Sequence, residues 1–199
     1  MEVLIPDINL VRYKKIIPQS RCKAVITHHA LKEFHRTRTI QYGISNHNTS
    51  QQAGLDISHS ESALLATTQN CLGWHNVAKT NVYCKQLTNP TLLRYQKYQY
   101  AASHVDALTP EEMAQQDTEH QHKFTSIAYL NESVGGELWF QHYDKVFKPE
   151  VGDIFVWKNV VNPVNRQTST TTCASDTRSM HSSLPVMHGT KYALALFFI

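Results

Sequence analysis

The sequence predicts an α+β chain, mainly β, folded as a double-stranded β-helix (jelly roll) with supporting N-terminal helices. Three observations carry this. From Thr91 onward, eight short runs of β-type residues are separated by turn signals, the pattern of two antiparallel sheets. Before that point the apolar residues of at least one stretch recur at helical spacing. At 199 residues the chain is most simply one domain with enough length to bury a core, residues 1–91 supporting and 92–199 forming the β structure.

Taken in order, residues 1–18 read as an extended lead-in punctuated by Pro6 and Pro18. Ser20 is placed to cap a helix from Cys22 to Phe34, with Cys22, Val25, Ile26, Ala30, Leu31 and Phe34 on one face. Thr39–Ile44 reads as a short strand and Ser45–Ser60 as a polar loop. A second helix is expected from Ser60 to the break at Gly73-Trp74, while residues 75–86 fit strand and helix alike. The β half then runs Leu92–Tyr95, Tyr100–Asp106, Phe124–Asn131, Glu137–Gln141, Lys145–Phe147, Ile154–Lys158, His181–Val186 and Lys191–Phe198.

Composition narrows the function. A net charge of +3 without a long basic run gives nucleic acid no electrostatic footprint. Cys22, Cys71, Cys84 and Cys173 form no CxxC pair and no disulfide-framework spacing, so free thiols in a reducing compartment are expected. The N-terminus lacks a basic region followed by an apolar core, and the longest apolar run, Ala193–Ile199, is too short to span a bilayer. A soluble, cytoplasmic protein without a membrane partner is expected.

Most of the twelve histidines sit in polar stretches and read as exposed side chains. His28 and His29 are adjacent on a helix and diverge by about 100°, which suits a polar helix edge better than a metal pair. Asp117, Glu119, His120 and His122 cluster in a polar loop and read as solvated. His104 and Asp106 differ. Two apart on a strand, their side chains leave the same face and can bind one ion together. His181 opens a later strand, and His104, Asp106 and His181 together are the two-histidine, one-carboxylate set of a non-haem Fe(II) centre. Lys191, ten residues beyond His181, supplies a fixed positive charge for the far carboxylate of a dicarboxylic co-substrate. It shares a strand face with the small Ala193 and Ala195, while Tyr192, Leu194, Leu196 and Phe198 occupy the packing face. If the last two strands form a hairpin turning at Met187-His188-Gly189-Thr190, His181 lies opposite about residue 195 and Lys191 roughly 13 Å along the sheet. His188, in that turn, reads as solvated.

These residues belong to an ordered set: His104-x-Asp106, Tyr129-Leu130-Asn131, Gly135-Gly136-Glu137-Leu138-x-Phe140, Pro149-x-x-Gly152-Asp153, and Asp176-x-Arg178-x-x-His181 followed by Pro185-Val186 and Lys191. The set resembles the catalytic domain of prolyl 4-hydroxylase-type Fe(II)/2-oxoglutarate dioxygenases over residues 92–199. The resemblance implies that His104, Asp106 and His181 bind Fe(II) and that Lys191 pairs with the C5 carboxylate of 2-oxoglutarate. It implies O2 as co-substrate, with ascorbate as an optional reductant. Tyr95 would line the 2-oxoglutarate pocket, and the Tyr129 hydroxyl would assist the lysine. Where the family often carries a threonine for the distal carboxylate this chain has Leu138, and Tyr100 stands one residue further from His104 than the family places its tyrosine.

The implied substrate is a prolyl residue in a peptide or protein. The alternatives are the same chemistry on a free amino acid or small metabolite, and a jelly-roll binding module without turnover. Asp176 and Arg178 are expected to order the loop before His181. Segments 108–123 and 162–180 are expected to flank the mouth of the barrel as lids. Trp139 and Trp157 fit either the substrate side or the core. Oligomeric state is open.

Overall fold

The computed structural model describes residues 1–29, 35–36, 39–41, 44–46, 51–54, 91–115, 121–161 and 174–198. Its first half carries β1 (Glu2–Ile5), β2 (Leu10–Tyr13), α1 (Gln19–His29), β3 (His35–Arg36), β4 (Thr39–Gln41), β5 (Ile44–Asn46), β6 (Gln51–Gly54) and β7 (Thr91–Tyr95). After β8 (Ala101–His104) and α2 (Pro110–Gln115) come β9 (Phe124–Tyr129), β10 (Val134–Gly135), β11 (Leu138–Phe140), β12 (Lys145–Phe147) and β13 (Ile154–Lys158). The chain closes with β14 (Val160–Val161), β15 (Ala174–Ser175), β16 (His181–Ser183), β17 (Val186–His188) and β18 (Lys191–Phe198).

Two antiparallel sheets form the double-stranded β-helix. The major one runs β1-β2-β13-β9-β18-β7-β6-β3 and the minor one β12-β11-β16-β8. Strand alternation sorts the side chains of the major sheet. Phe124, Ala128 and Leu130 on the β9 side, with Leu194, Leu196 and Phe198 of β18, pack outward against Cys22 and Val25 of α1. Thr125, Ile127 and Tyr129 of β9, with Lys191, Ala193, Ala195 and Phe197 of β18, face the minor sheet and line one cavity. Nearer β13, the space between sheets is filled by Ile8, Leu138, Phe140, Phe155 and Trp157. Burying large apolar side chains on both faces of the major sheet stabilises each by roughly 1.5–3 kcal/mol, which is why that sheet is the rigid platform of the site.

The structure revises several expectations. The lead-in is extended but also joins the major sheet, β2 pairing with β13 through Ile154↔Tyr13 and Val156↔Val11. A buried ion pair seals the junction, with the Arg12 Nε donating to Asp153 Oδ2 at 2.8 Å and the Lys15 main-chain N–H donating to Asp153 Oδ1 at 2.9 Å. The first helix starts at Gln19, one turn before Cys22, and the Cys22 N–H bonds the Pro18 carbonyl, so Ser20 lies inside the helix rather than capping it. Part of the stretch expected as loop is strand: β5 pairs with β4, and β6 extends the major sheet beside β7 with Gln51↔Arg94. Main-chain pairing at a sheet edge does not need the apolar alternation on which sequence reading relies. The helix expected from Ser60 and the undecided residues 75–86 lie outside the described residues. Cys22 is a free, buried thiol, and the other three cysteines also lie outside. Among the described residues no helix is long and apolar enough to cross a membrane.

The expected terminal hairpin does not form. Leu184-Pro185 interrupts the predicted strand His181–Val186, and proline cannot donate to a ladder. Its first half stays in the minor sheet as β16, while β17 pairs with β10. β18 crosses to the major sheet, between β7 and β9. His181 and Lys191 therefore come from opposite sheets.

Candidate active site

The minor sheet sets two of the three predicted ligands. β8 and β16 pair with His181 directly across from His104, their rings 4.5 Å apart. Asp106 lies just beyond the end of β8, in a bend rather than on the strand as expected, and the bend turns its carboxylate between the rings. Its Oδ1 is 3.3 Å from the His104 Nε2 and its Oδ2 is 3.5 Å from the His181 Nε2. The three ligand atoms lie within 4.8 Å of one another.

The imidazoles present their Nε2 atoms because the other ring nitrogens are occupied. The His104 Nδ1–H donates to the Ala102 carbonyl at 2.7 Å, and the His181 Nδ1–H to the Ser179 carbonyl at 3.0 Å. Such partners fix the tautomer that a metal-binding histidine needs. Burial pulls the His181 ring down to about 4, keeping it a neutral donor. At His104 burial works in the same direction, but the bond to Asp106 prevails and raises it. Burial opposes the Asp106 charge, yet the His181 and His104 rings and the Thr125 hydroxyl hold the carboxyl well below its usual range. Two imidazoles that offer their Nε2 atoms and one carboxylate, aimed at a common point with the Nδ1 sides satisfied, fit a divalent iron, whose binding would displace the proton that Asp106 favours on His104.

Lys191, 4% exposed, enters the same cavity from the major sheet. Its ammonium donates to the Gly136 carbonyl at 2.8 Å and to the Ser183 hydroxyl at 2.6 Å. Tyr95, paired with Lys191 across β7 and β18, offers its ring face 4.7 Å from the Nζ, and Tyr129 its ring face at 5.2 Å. The ammonium thus sits over the Tyr129 ring, and burial pushes that phenol well up. No carboxylate among the described residues reaches the ammonium. Burial pulls Lys191 down to about 7, opposed only by the charge of Glu137. Ser183 lies two residues past His181 on β16, about 6.6 Å along the strand, so the lysine lies much nearer the ligands than the hairpin implied.

Several other expectations meet the structure here. Trp157 is buried, edge-on to Phe140 at 5.4 Å and to His181 at 4.7 Å, so it is core that backs a ligand. Trp139 lies on β11 between the inward Leu138 and Phe140 and takes the opposite face. Asp176 accepts three hydrogen bonds from the main chain and guanidinium of Arg178, ordering the turn before His181 as expected. His188 and His28 are exposed. His122 is not solvated: its ring stacks on Phe197 at 4.5 Å and its Nδ1 lies 3.0 Å from the Asp106 carbonyl oxygen. Asp117, Glu119, His120 and most of segment 162–180 lie outside the described residues. Sequence reasoning missed Thr125, whose hydroxyl donates to Asp106 Oδ2 at 2.6 Å, and Ser183. Strand alternation could place both on the cavity face; nothing local marks their partners.

A family model described as the 2OG-Fe(II) oxygenase superfamily matches residues 90–199, more than half of the chain. The chain belongs to this superfamily. It is an Fe(II)- and 2-oxoglutarate-dependent dioxygenase, and O2 is its second co-substrate. No curated protein sequence matches the oxygenase. Solved structures match it over nearly its whole length. The viral collagen prolyl hydroxylase of Paramecium bursaria Chlorella virus-1, in its 2OG complex, is 20% identical with a TM-score of 0.68, covering 95% of this chain and 94% of that one. A Pseudomonas putida prolyl-4-hydroxylase is 14% identical with a TM-score of 0.64, covering 97% and 93%. A Trichoplax adhaerens prolyl hydroxylase, in complex with a hypoxia inducible factor oxygen degradation domain peptide fragment, is 15% identical with a TM-score of 0.69, covering 96% and 83%. At these identities the likeness establishes the shared fold.

Proposed function

We propose that His104, Asp106 and His181 hold the Fe(II), that Lys191 and Ser183 hold the C5 carboxylate of 2-oxoglutarate, and that the substrate is a prolyl residue in a peptide or protein. One observation carries the site assignment: a single cavity contains three convergent ligand atoms and, from the facing sheet, a buried ammonium without a carboxylate partner. A five-carbon 2-oxo diacid completes both, with its keto acid end toward the ligands and its free carboxylate against the lysine.

Iron bound there supplies, with O2 and 2-oxoglutarate, the oxidising power to hydroxylate an unactivated carbon, releasing succinate and CO2. The protein's residues position and protect. Asp106 would balance part of the metal's charge, and His104 and His181 would complete the protein's share of its ligands. Lys191 and Ser183 orient the co-substrate from its far end, while Tyr95 and Tyr129 wall the ammonium from water. No side chain is required as a general base.

The prolyl assignment is supported by the neighbours, three prolyl hydroxylases that align over almost the entire chain, one of them bound to a peptide. The test offers proline-containing peptides and free proline to the Fe(II)-loaded protein and follows succinate release with mass analysis of the product. Peptide-dependent succinate and a hydroxylated prolyl residue are expected. Turnover with free proline alone reassigns the substrate to a small metabolite.

A further inference from the structure

Asn159 makes no hydrogen bond to any of the three predicted ligands among the described residues, yet hydrogen bonds lead from it to two of them. Its side chain is fully buried, and its Nδ2 donates to the Thr125 hydroxyl oxygen at 2.8 Å. Thr125 in turn donates its only hydroxyl proton to Asp106 Oδ2 at 2.6 Å. The directions are forced, because a carboxylate can only accept and the hydroxyl has one proton, so the amide must present its NH2. The Asn159 Oδ1 has no hydrogen-bond partner among the described residues. The amide is therefore held by what it donates, together with its own main chain. There, its N–H bonds the Lys123 carbonyl and its carbonyl accepts from the Asp176 N–H. The Asp176 main-chain carbonyl then accepts from the Ser179 hydroxyl at 2.7 Å, and the Ser179 carbonyl accepts from the His181 Nδ1–H.

We propose that Thr125 and Asn159 are positioning residues that keep Asp106 a one-oxygen ligand. Both carboxylate oxygens face the cluster, Oδ1 toward the His104 Nε2 at 3.3 Å and Oδ2 toward the His181 Nε2 at 3.5 Å. The Thr125 proton engages Oδ2, so Oδ1 is the oxygen left for the metal, and Asn159 locks the Thr125 rotamer in the donating orientation. The consequence is chemical. A carboxylate that closed on the ion through both oxygens would take a coordination position needed for co-substrate or O2, and the Thr125 bond prevents that.

The inference rests on the metal assignment above, and the test keeps the two separable. Co(II) binding to the metal-free protein is measured by titration calorimetry, and the visible spectrum of the Co(II) form reports coordination. Thr125→Val, which keeps the β-branched shape, should weaken Co(II) roughly 10- to 100-fold, the range for losing an outer partner of a ligand. It should also shift the spectrum as Oδ2 becomes a ligand, and Thr125→Ser should restore both. Asn159→Ala should weaken binding on its own but add nothing in the Thr125→Val background, because it acts through that hydroxyl. Wild-type affinity and spectrum in Thr125→Val, or independent losses in the double variant, overturn the proposal while leaving the metal site standing. Failure of the wild type to bind Co(II) removes the metal assignment itself.

Discussion

Replacing Lys191 with methionine tests the site from both sides, because the burial that suits the ammonium to a carboxylate partner also makes it costly without one. Burial pulls the lysine from 10.5 to about 7. At about 1.4 kcal/mol per tenfold, this opposes the protonated folded state by roughly 5 kcal/mol at pH 6, below both values. Methionine removes that opposition and fills similar space, but leaves the Gly136 carbonyl and the Ser183 hydroxyl without their donor, at about 1–3 kcal/mol for such a group. For the two groups together that loss is about 2–6 kcal/mol, so the metal-free variant should fall between about 3 kcal/mol more stable and about 1 kcal/mol less stable than the wild type, each kcal/mol moving Tm by about 2–4 °C in a chain of this size. Co-substrate binding should collapse. Removing one partner of a buried charge pair costs about 3–5 kcal/mol, a fall in 2-oxoglutarate affinity of roughly 100- to several-thousand-fold. The assays are calorimetric titration of the Mn(II)-loaded protein with 2-oxoglutarate at pH 6 and a thermal melt of the metal-free protein. Wild-type affinity in the variant would refute the carboxylate-binding role, and a Tm lowered by more than about 4 °C would refute the account of the unpaired buried charge.

The same burial gives a pH dependence. Between pH 7 and 10.5 the unfolded lysine keeps its proton and the folded one has lost it, so the metal-free protein should gain stability as pH rises through that window. A bound carboxylate restores the proton, so 2-oxoglutarate affinity should fall by up to about tenfold per pH unit above 7, and calorimetry across pH 6.5–9 checks this. Ser183→Ala should weaken 2-oxoglutarate roughly 10- to 100-fold, the loss of a hydrogen bond to a charged acceptor, while a monocarboxylic 2-oxo acid binds as before. Gly136→Ala introduces a Cβ 2.9 Å from the Lys191 Cδ at a residue with φ of +77°. It should cost about 1–3 kcal/mol in a melt and displace the ammonium, weakening 2-oxoglutarate as well.

What the sequence made legible is what depends on local spacing. The β half could be counted from alternation, and β18 carries Lys191, Ala193 and Ala195 on its cavity face and Leu194, Leu196 and Phe198 on its packed face because period two admits no other division. The convergence of His104, Asp106 and His181 was legible through an ordered motif set rather than through any one of them. Topology was not. The Leu184-Pro185 break sends β18 to the other sheet, a long-range choice without a local marker, and with it went the lysine's true distance from the ligands. Thr125, Asn159 and Ser183 were unreadable for the same reason. Small polar residues acquire their function from partners across a sheet or between sheets, 19, 34 and 8 positions away in this chain. His122 misled because its neighbours in sequence are polar, whereas its neighbours in space are Phe197 and the Asp106 main chain.

The placement of Ser183 two residues beyond His181 has a consequence for selectivity. On one face of a strand, successive side chains stand about 6.6 Å apart, a spacing imposed by the peptide backbone itself. On the proposed assignment, in which His181 would hold the iron and Ser183 with Lys191 the far carboxylate, that backbone repeat would act as a ruler for the diacid. A four-carbon homologue would then reach the anchoring pair poorly and a six-carbon one would have to buckle. Chain length would be measured by a repeat that no point substitution within the strand alters.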